Sequence, residues 1–178
     1  IRSIGETLAR GRVANGDRLR EYAQLLVQEG HRLSHLIDNL LAYSRVTDVT
    51  QLYSFEPLSP TDVVGEALRG FQRLLQEGGF NVTVDVPATL PPVRADRTAI
   101  VLALANLIDN AMRYSGTSRT ITIQGRLNGD VVELAVQDYG VGIEPGELQR
   151  VQQRFIRGRT AEGKGSGLGL AIVSRIAA

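Results

Sequence analysis

The chain has no cysteine, no tryptophan, a single methionine and only 5% aromatic residues. Without cysteine there can be no disulfide framework, no thiolate-held zinc or iron–sulfur centre and no thiol nucleophile, a usage that fits a reducing compartment. An excess of one charge is also missing. Twenty Lys and Arg stand against nineteen Asp and Glu, a formal net charge of +1, so the broad basic footprint of a nucleic-acid binder is absent. The longest apolar stretch, 98–108, is too short to span a bilayer and is interrupted by Asn106. No signal-peptide pattern opens the chain, which begins in mid-pattern at Ile1 and reads as a piece of something longer. Its 178 residues, at about 150 per domain, allow one domain and a remainder. What the chain does have is glycine, 19 in all, crowded toward the C-terminal half.

Residues 17–46 carry a helical period. Leu19, Leu26, Leu33 and Leu40 recur every seven residues, with Tyr22/Ala23, Leu36/Ile37 and Tyr43 as a second seam. Arg18, Arg20, Gln24, Gln28, Glu29, Arg32 and Asp38 line the other face. Such a stripe needs partner helices, and only Ile1, Ile4 and Leu8, ahead of a turn at 11–16, offer one. A helical hairpin that completes its core with a second copy, as half of a dimeric four-helix bundle, is the expectation.

After a stretch without period at 47–53, the pattern changes. Ser59-Pro60-Thr61-Asp62 offers an N-cap, a proline at the first helical position and an acid in the first turn. Val63, Val64, Ala67, Leu68, Phe71, Leu74 and Leu75 then form an apolar face that ends at Gly78-Gly79. Val82, Val84 and Val86 alternate as a strand. Asp96 can cap a helix with the core stripe Val101, Leu104, Leu107/Ile108 and Ala111, stopped near Gly116. Strands over 120–127 and 131–138 flank the hairpin signal Asn128-Gly129-Asp130. The fold class is α+β: a helical hairpin followed by an α/β sandwich, a mixed sheet covered by helices on one face. The expected boundaries are 1–46 for the hairpin, 47–53 for the linker and 54–178 for the sandwich.

Three constellations carry chemistry. On the helix capped by Asp96, Asn106 and Asn110 are four residues apart and share a face that Arg113 and Tyr114 continue one turn on. That line is either a solvated face or a site where an amide oxygen meets a hard cation and an arginine meets a phosphate. Magnesium is commonly held by one or two protein oxygens plus substrate phosphates. The second constellation is Asp138-Tyr139-Gly140-Val141-Gly142-Ile143. Asp138 shares its strand face with Val136, Leu134 and Val132, which puts a carboxylate at the mouth of an apolar layer, where it must be hydrogen-bonded or shifted in pKa. An ionised carboxylate only accepts, so it suits a ligand with an exposed amine such as adenine. The two glycines would let backbone approach a flat ring, although the same residues also describe an ordinary turn.

The third constellation, Gly163-Lys164-Gly165-Ser166-Gly167-Leu168-Gly169-Leu170, opens directly into the apolar run Ala171-Ile172-Val173. A glycine loop at a helix N-terminus presents unpaired N–H groups to an anion. The overlapping stretch 158–164 fits a P-loop as far as its lysine. However, Gly165 stands where a hydroxyl should hold magnesium, and no strand precedes it. A dinucleotide fingerprint fails on the same missing strand.

Taken in order, these motifs resemble the catalytic ATP-binding domain of sensor histidine kinases, in the superfamily that also holds gyrase, HSP90 and MutL. Residues 106–115 look like its N box, 138–143 like its G1 box, Arg154-Phe155-Ile156-Arg157-Gly158 like its F box and 165–170 like its G2 box. The resemblance covers nearly the whole chain. It implies Asp138 on the adenine amine, with Ile143 and Tyr114 flanking the nucleoside and Gly140 and Gly142 shaping the loop. It implies Asn110 on Mg²⁺ with Asn106 beside it, and Arg113 near the phosphates. Arg157, Lys164, Gly165, Ser166, Gly167, Leu168 and Gly169 would belong to a lid closing over ATP.

The first half is similar to the family's dimerisation and phosphotransfer hairpin, but the phosphoacceptor histidine with its following acid is absent. His31 and His35 are followed by Arg32 and Leu36 and lie off the leucine seam. As a zinc pair they lack a third ligand. Gln152 departs from the aromatic usual in the F box, and the family's last strands are expected beyond Ala178. The implied activity is transfer of the ATP γ-phosphoryl to a histidine, then to the aspartate of a response regulator receiver domain. The implied setting is a homodimer forming the cytoplasmic portion of a bacterial inner-membrane protein, its membrane attachment lying outside this chain. On this reading the chain alone does not phosphorylate itself. A serine kinase of the anti-sigma type would share the boxes, but the heptad hairpin speaks against it. A dimerising nucleotide-binding module without phosphotransfer is disfavoured by intact Asp138, Gly140, Gly142 and Asn110.

Overall fold

The computed structural model describes residues 16, 18–27, 30, 33, 37, 53–151 and 167–177. The chain divides into two compact units, 1–41 and 42–178. In the first, residues 18–27 are helical, as are 30, 33 and 37. Leu19, Val27, Leu33 and Ile37 are all exposed in the single chain, Ile37 at 56%. The rest of the expected hairpin and residues 47–52 of the linker lie outside the described residues.

The second unit runs β1 (Phe55–Leu58), α1 (Pro60–Glu77), β2 (Asn81–Asp85), β3 (Val93–Asp96), α2 (Arg97–Tyr114), β4 (Thr120–Asn128) and β5 (Val131–Asp138). A 3₁₀ turn (Pro145–Glu147), a short α3 (Leu148–Val151) and α4 (Gly169–Ala177) follow. Both expected helix starts occur. The Ser59 hydroxyl accepts from the Asp62 N–H with Pro60 at the first helical position, and the Asp96 carboxylate accepts from the Ala99 N–H at 2.9 Å. Asp96 also accepts the Ser54 N–H at 3.0 Å, so one side chain both starts α2 and holds the chain entering β1. Asp96→Ala is expected to cost about 1–2 kcal/mol, checked by denaturant unfolding.

Arg97, the first residue of α2, places a cation at the unfavourable positive end of the helix. Two carboxylates offset it, Glu56 at 2.8 Å and Glu66 at 3.3 Å. The hydrogen bond that the guanidinium donates to Glu56, then the one it donates to Glu66, raises its pKa further, and the clasp ties β1, α1 and α2 together.

The sheet is mixed, as expected: β2 runs parallel to β4, and β4 antiparallel to β5 from Ile121↔Asp138 to Asn128↔Val131. The register leaves a two-residue turn in which Gly129 takes φ +59°, a backbone state open to glycine at little cost. A separate two-stranded ladder pairs β1 with β3. β3 has no counterpart in the sequence reading because four residues are too few to show a period. On the sheet's inner face Ile121 and Ile123 are fully buried and Val82, Leu134 and Val136 pack around them, against Val63, Val64, Ala67, Phe71 and Leu75 of α1 and Leu104, Ile108 and Ala111 of α2. Leu74, expected on this face, is exposed. The buried ridge of α1 runs through 63, 67, 71 and 75, and Leu74 sits one residue, about 100° of helix rotation, off it. Gly125 is buried, and a Cβ there would lie 2.9 Å from Leu90 and Val86, where the chain beyond β2 folds over the sheet.

Candidate nucleotide site

Three stretches that are distant in sequence meet along α2. Its inner stripe, Leu104, Ile108 and Ala111, faces the core, and its other side is solvated only in part, from buried Asn106 through half-buried Asn110 to exposed Arg113. Asn106, only 4% exposed, donates from Nδ2 to the Leu102 carbonyl at 2.9 Å. That bond turns Oδ1 toward α4, where a Cβ on Gly169 would lie 3.0 Å from it and 3.6 Å from Asn110 Nδ2. Glycine at the head of α4 therefore permits close docking on the two asparagines. Ala171 and Ile172 bury the rest of that contact edge.

Asn110 is half-buried and its amide carries no hydrogen bond among the described residues. One turn on, Arg113 Nη2 pairs with Asp109 Oδ2 at 2.8 Å, with 32% and 27% of the side chains exposed.

The loop after β5 is tied to the C-terminal end of the same helix. Asp138 is half-buried and is hydrogen-bonded, as its position at the mouth of the apolar layer required: Oδ1 accepts from the Gly140 N–H at 2.9 Å. The Val141 N–H donates to the Tyr114 carbonyl at 3.2 Å. A Cβ on Gly140 would collide with that carbonyl oxygen and come within 2.8 Å of the Ser115 Cα. Gly140 thus serves the approach of one backbone to another; the sequence reading offered both glycines either to a flat ligand ring or to an ordinary turn. Gly142 has a different reason, a turn at φ +69° with open space around it. Tyr139, Val141 and Ile143 project from this loop into solvent, Ile143 at 47% exposure, and Tyr114, whose carbonyl meets the loop, is half-buried at the end of α2.

At the third stretch Gly167 takes φ +66°, Leu168 is buried, and α4 starts at Gly169. Its positive dipole end is therefore adjacent to Asn106 and Asn110, a ready position for an anion.

Of the sequence-derived site residues, Asn106, Asn110, Gly169, Tyr114 and Gly140 are brought together on α2, with Asp138 hydrogen-bonded to Gly140. Arg157, Lys164, Gly165 and Ser166 lie outside the described residues, as do Gln152 and the rest of the F box, His31 and His35. Among the described residues no cluster of three His, Asp or Glu could hold a metal. The donor set that remains fits magnesium held by the Asn110 amide oxygen and completed by phosphate oxygens. Asp109 and Ser115 stand in the N-box stretch but were given no role of their own. Asp109 was legible, since acid and arginine at i, i+4 pair on a helix. Ser115, buried with Oγ on the Ala111 carbonyl, is seen only once the loop is packed on it.

Residues 95–178 match the model of the histidine kinase-, DNA gyrase B- and HSP90-like ATPases. That stretch is a catalytic ATP-binding domain of this superfamily. It takes in all of α2, the Asp138 loop and the Gly169 helix. The chain is 35% identical over 167 residues to the sensor-like histidine kinase SenX3 of Mycobacterium tuberculosis, covering 92% of this chain and 40% of that protein. It spans about two fifths of the length of such curated relatives. Among solved structures, the Acinetobacter baumannii histidine kinase AdeS superposes with a TM-score of 0.72 at 26% identity, over 98% of this chain and 80% of that one. The histidine kinase ShkA, solved full-length with AMPPNP, superposes at 0.69 and 24% identity over 88% of this chain and 33% of that one, a likeness of fold. The expected α+β fold with a mixed sheet is the one these kinases share. No described helix is long and apolar enough to cross a membrane.

Proposed function

We propose that this chain is the ATP-binding core and part of the dimerisation hairpin of a sensor histidine kinase, binding Mg-ATP along α2. The observation that carries the reading is the convergence itself. The half-buried carboxylate of Asp138 is fixed by Gly140 on a loop tied to the end of α2, and the head of α4 is docked on Asn106 and Asn110 of the same helix. The AMPPNP complex of ShkA supports a triphosphate as ligand.

In this reading Asp138 accepts from the adenine amine, and Ile143 and Tyr114 flank the nucleoside. Arg113 and the N–H groups heading α4 face the phosphates, with Arg157, Lys164 and the 163–169 loop closing over them. Asn110 would hold magnesium, which neutralises phosphate charge when bound. In the whole kinase a histidine ring nitrogen attacks the γ-phosphorus and the bond to the β-phosphate oxygen breaks. ADP leaves, and the phosphoryl passes to a receiver-domain aspartate of a response regulator. Little covalent work falls to the protein, so positioning and charge account for the catalysis.

His31 and His35 lack a following acid and are not the acceptors. The exposed Leu19, Leu33 and Ile37 support a homodimer through the hairpin. The family resemblance supports a cytoplasmic domain of a protein whose membrane attachment lies in other segments.

Calorimetric titration with ATP should give saturable heat that magnesium strengthens, and Asn110→Ala should remove the magnesium effect while sparing metal-free nucleotide binding. Incubation with γ-labelled ATP should leave His31 and His35 unlabelled. No heat with or without magnesium, or acid-labile label on either histidine, would overturn the reading.

A further inference from the structure

The Asp109–Arg113 pair lies along the same helix as the site residues, and the motif comparison gives Asp109 no role. Arg113 is on the last turn of α2, three residues beyond Asn110, so the two share a face of the helix. Its guanidinium is held by Asp109 Oδ2 at 2.8 Å, the two side chains about a third exposed or less. Here a carboxylate one turn back takes one of its donors and cancels much of its field.

We propose that Asp109 is an electrostatic latch on Arg113, which the phosphate chain of the nucleotide must displace or share. The inference rests on the reading that phosphates lie beside Arg113, and it assigns Asp109 a part in setting nucleotide affinity. The sign follows from charge. With Asp109 ionised, the pair is neutral overall and presents an anion to an incoming polyanion. With that charge removed, Arg113 presents a full positive charge. Partly exposed charges interact through a high effective dielectric and are screened by salt, so the gain is modest and fades as ionic strength rises. Adenosine, which has no phosphates, should not sense the latch at all. A merely structural role for the pair would change adenosine and ATP binding alike.

The test compares Mg-ATP and adenosine binding by calorimetry for the parent, Asp109→Asn, Arg113→Gln and the double variant, at low and at high salt. Asp109→Asn should tighten Mg-ATP binding about three- to tenfold at low salt. The gain should shrink at high salt and be clearly smaller in the Arg113→Gln background, where only direct repulsion by Asp109 is relieved, with adenosine affinity unchanged throughout. Weaker or unchanged ATP binding in Asp109→Asn would overturn the latch, as would an equal shift in adenosine or a gain that is undiminished by Arg113→Gln. A parent chain that binds neither ligand would instead overturn the nucleotide reading on which the latch rests. Thermal melts of all four proteins identify any variant that fails to fold. Should Asp109→Asn be one, Asp109→Ser takes its place in the same comparison.

Discussion

Asp138→Asn is expected to weaken ATP binding about 10- to 100-fold, the loss of a hydrogen bond to a charged acceptor, while leaving the melting temperature nearly unchanged. The reason lies in the bond that Asp138 already makes. One carboxylate oxygen accepts from the Gly140 N–H, which leaves the other with its full accepting capacity for a ligand amine. Asparagine is close to isosteric and can keep its oxygen on Gly140. Doing so turns its NH₂ group toward the ligand, and two donors then face each other. The fold keeps its loop; the site loses its acceptor. The same substitution should favour a purine with a carbonyl in place of the amine, so inosine triphosphate should lose much less affinity than ATP, or gain. Calorimetry with both nucleotides checks it. Equal weakening of the two would show that Asp138 does not read the purine amine.

Gly140→Ala should act through stability and be far more damaging than Gly142→Ala two residues on. At 140 the new methyl would strike the Tyr114 carbonyl and the Ser115 backbone, atoms with no rotamer to change. Relief requires moving the loop off α2, breaking the Val141–Tyr114 hydrogen bond and exposing buried Ser115. Overpacking against backbone plus one lost bond amounts to about 3 kcal/mol or more, a drop in melting temperature of roughly 6–12 °C for a unit of this size. At 142 there is open space, and only the φ of +69° resists a side chain, costing about 1–2 kcal/mol. Paired thermal melts decide it. A Gly142 variant that suffers as much as the Gly140 variant would mean that conformation and not collision limits this loop.

Local chemistry made much of this protein legible before any packing was seen. Both capped helix starts were readable because a cap is a contact between residues two or three apart. The β4–β5 hairpin was readable because its turn is two residues long. Asp138 could be placed on the inner face of its strand because side chains alternate, and the nucleotide boxes stood at recognisable spacing. The limits were as physical. β3 is too short to carry a period. Asn106 could be a solvated residue or part of a site, since a polar side chain reads alike in both settings until something covers it.

From the order of residues follow the α+β class, the seven-residue leucine spacing of 19–40, the caps and the residues proposed to hold a nucleotide. These rest on interactions within a few positions along the chain or on side-chain period, and both are written in the sequence. Only the tertiary structure decides that α2 is covered on two sides, that Gly140 is glycine for the sake of Tyr114, and that Gly169 is glycine for the sake of Asn106. Each of those pairings joins segments more than twenty residues apart, where close packing of backbone on side chain leaves no room for a methyl group. Spacing along a chain records no distance of that kind.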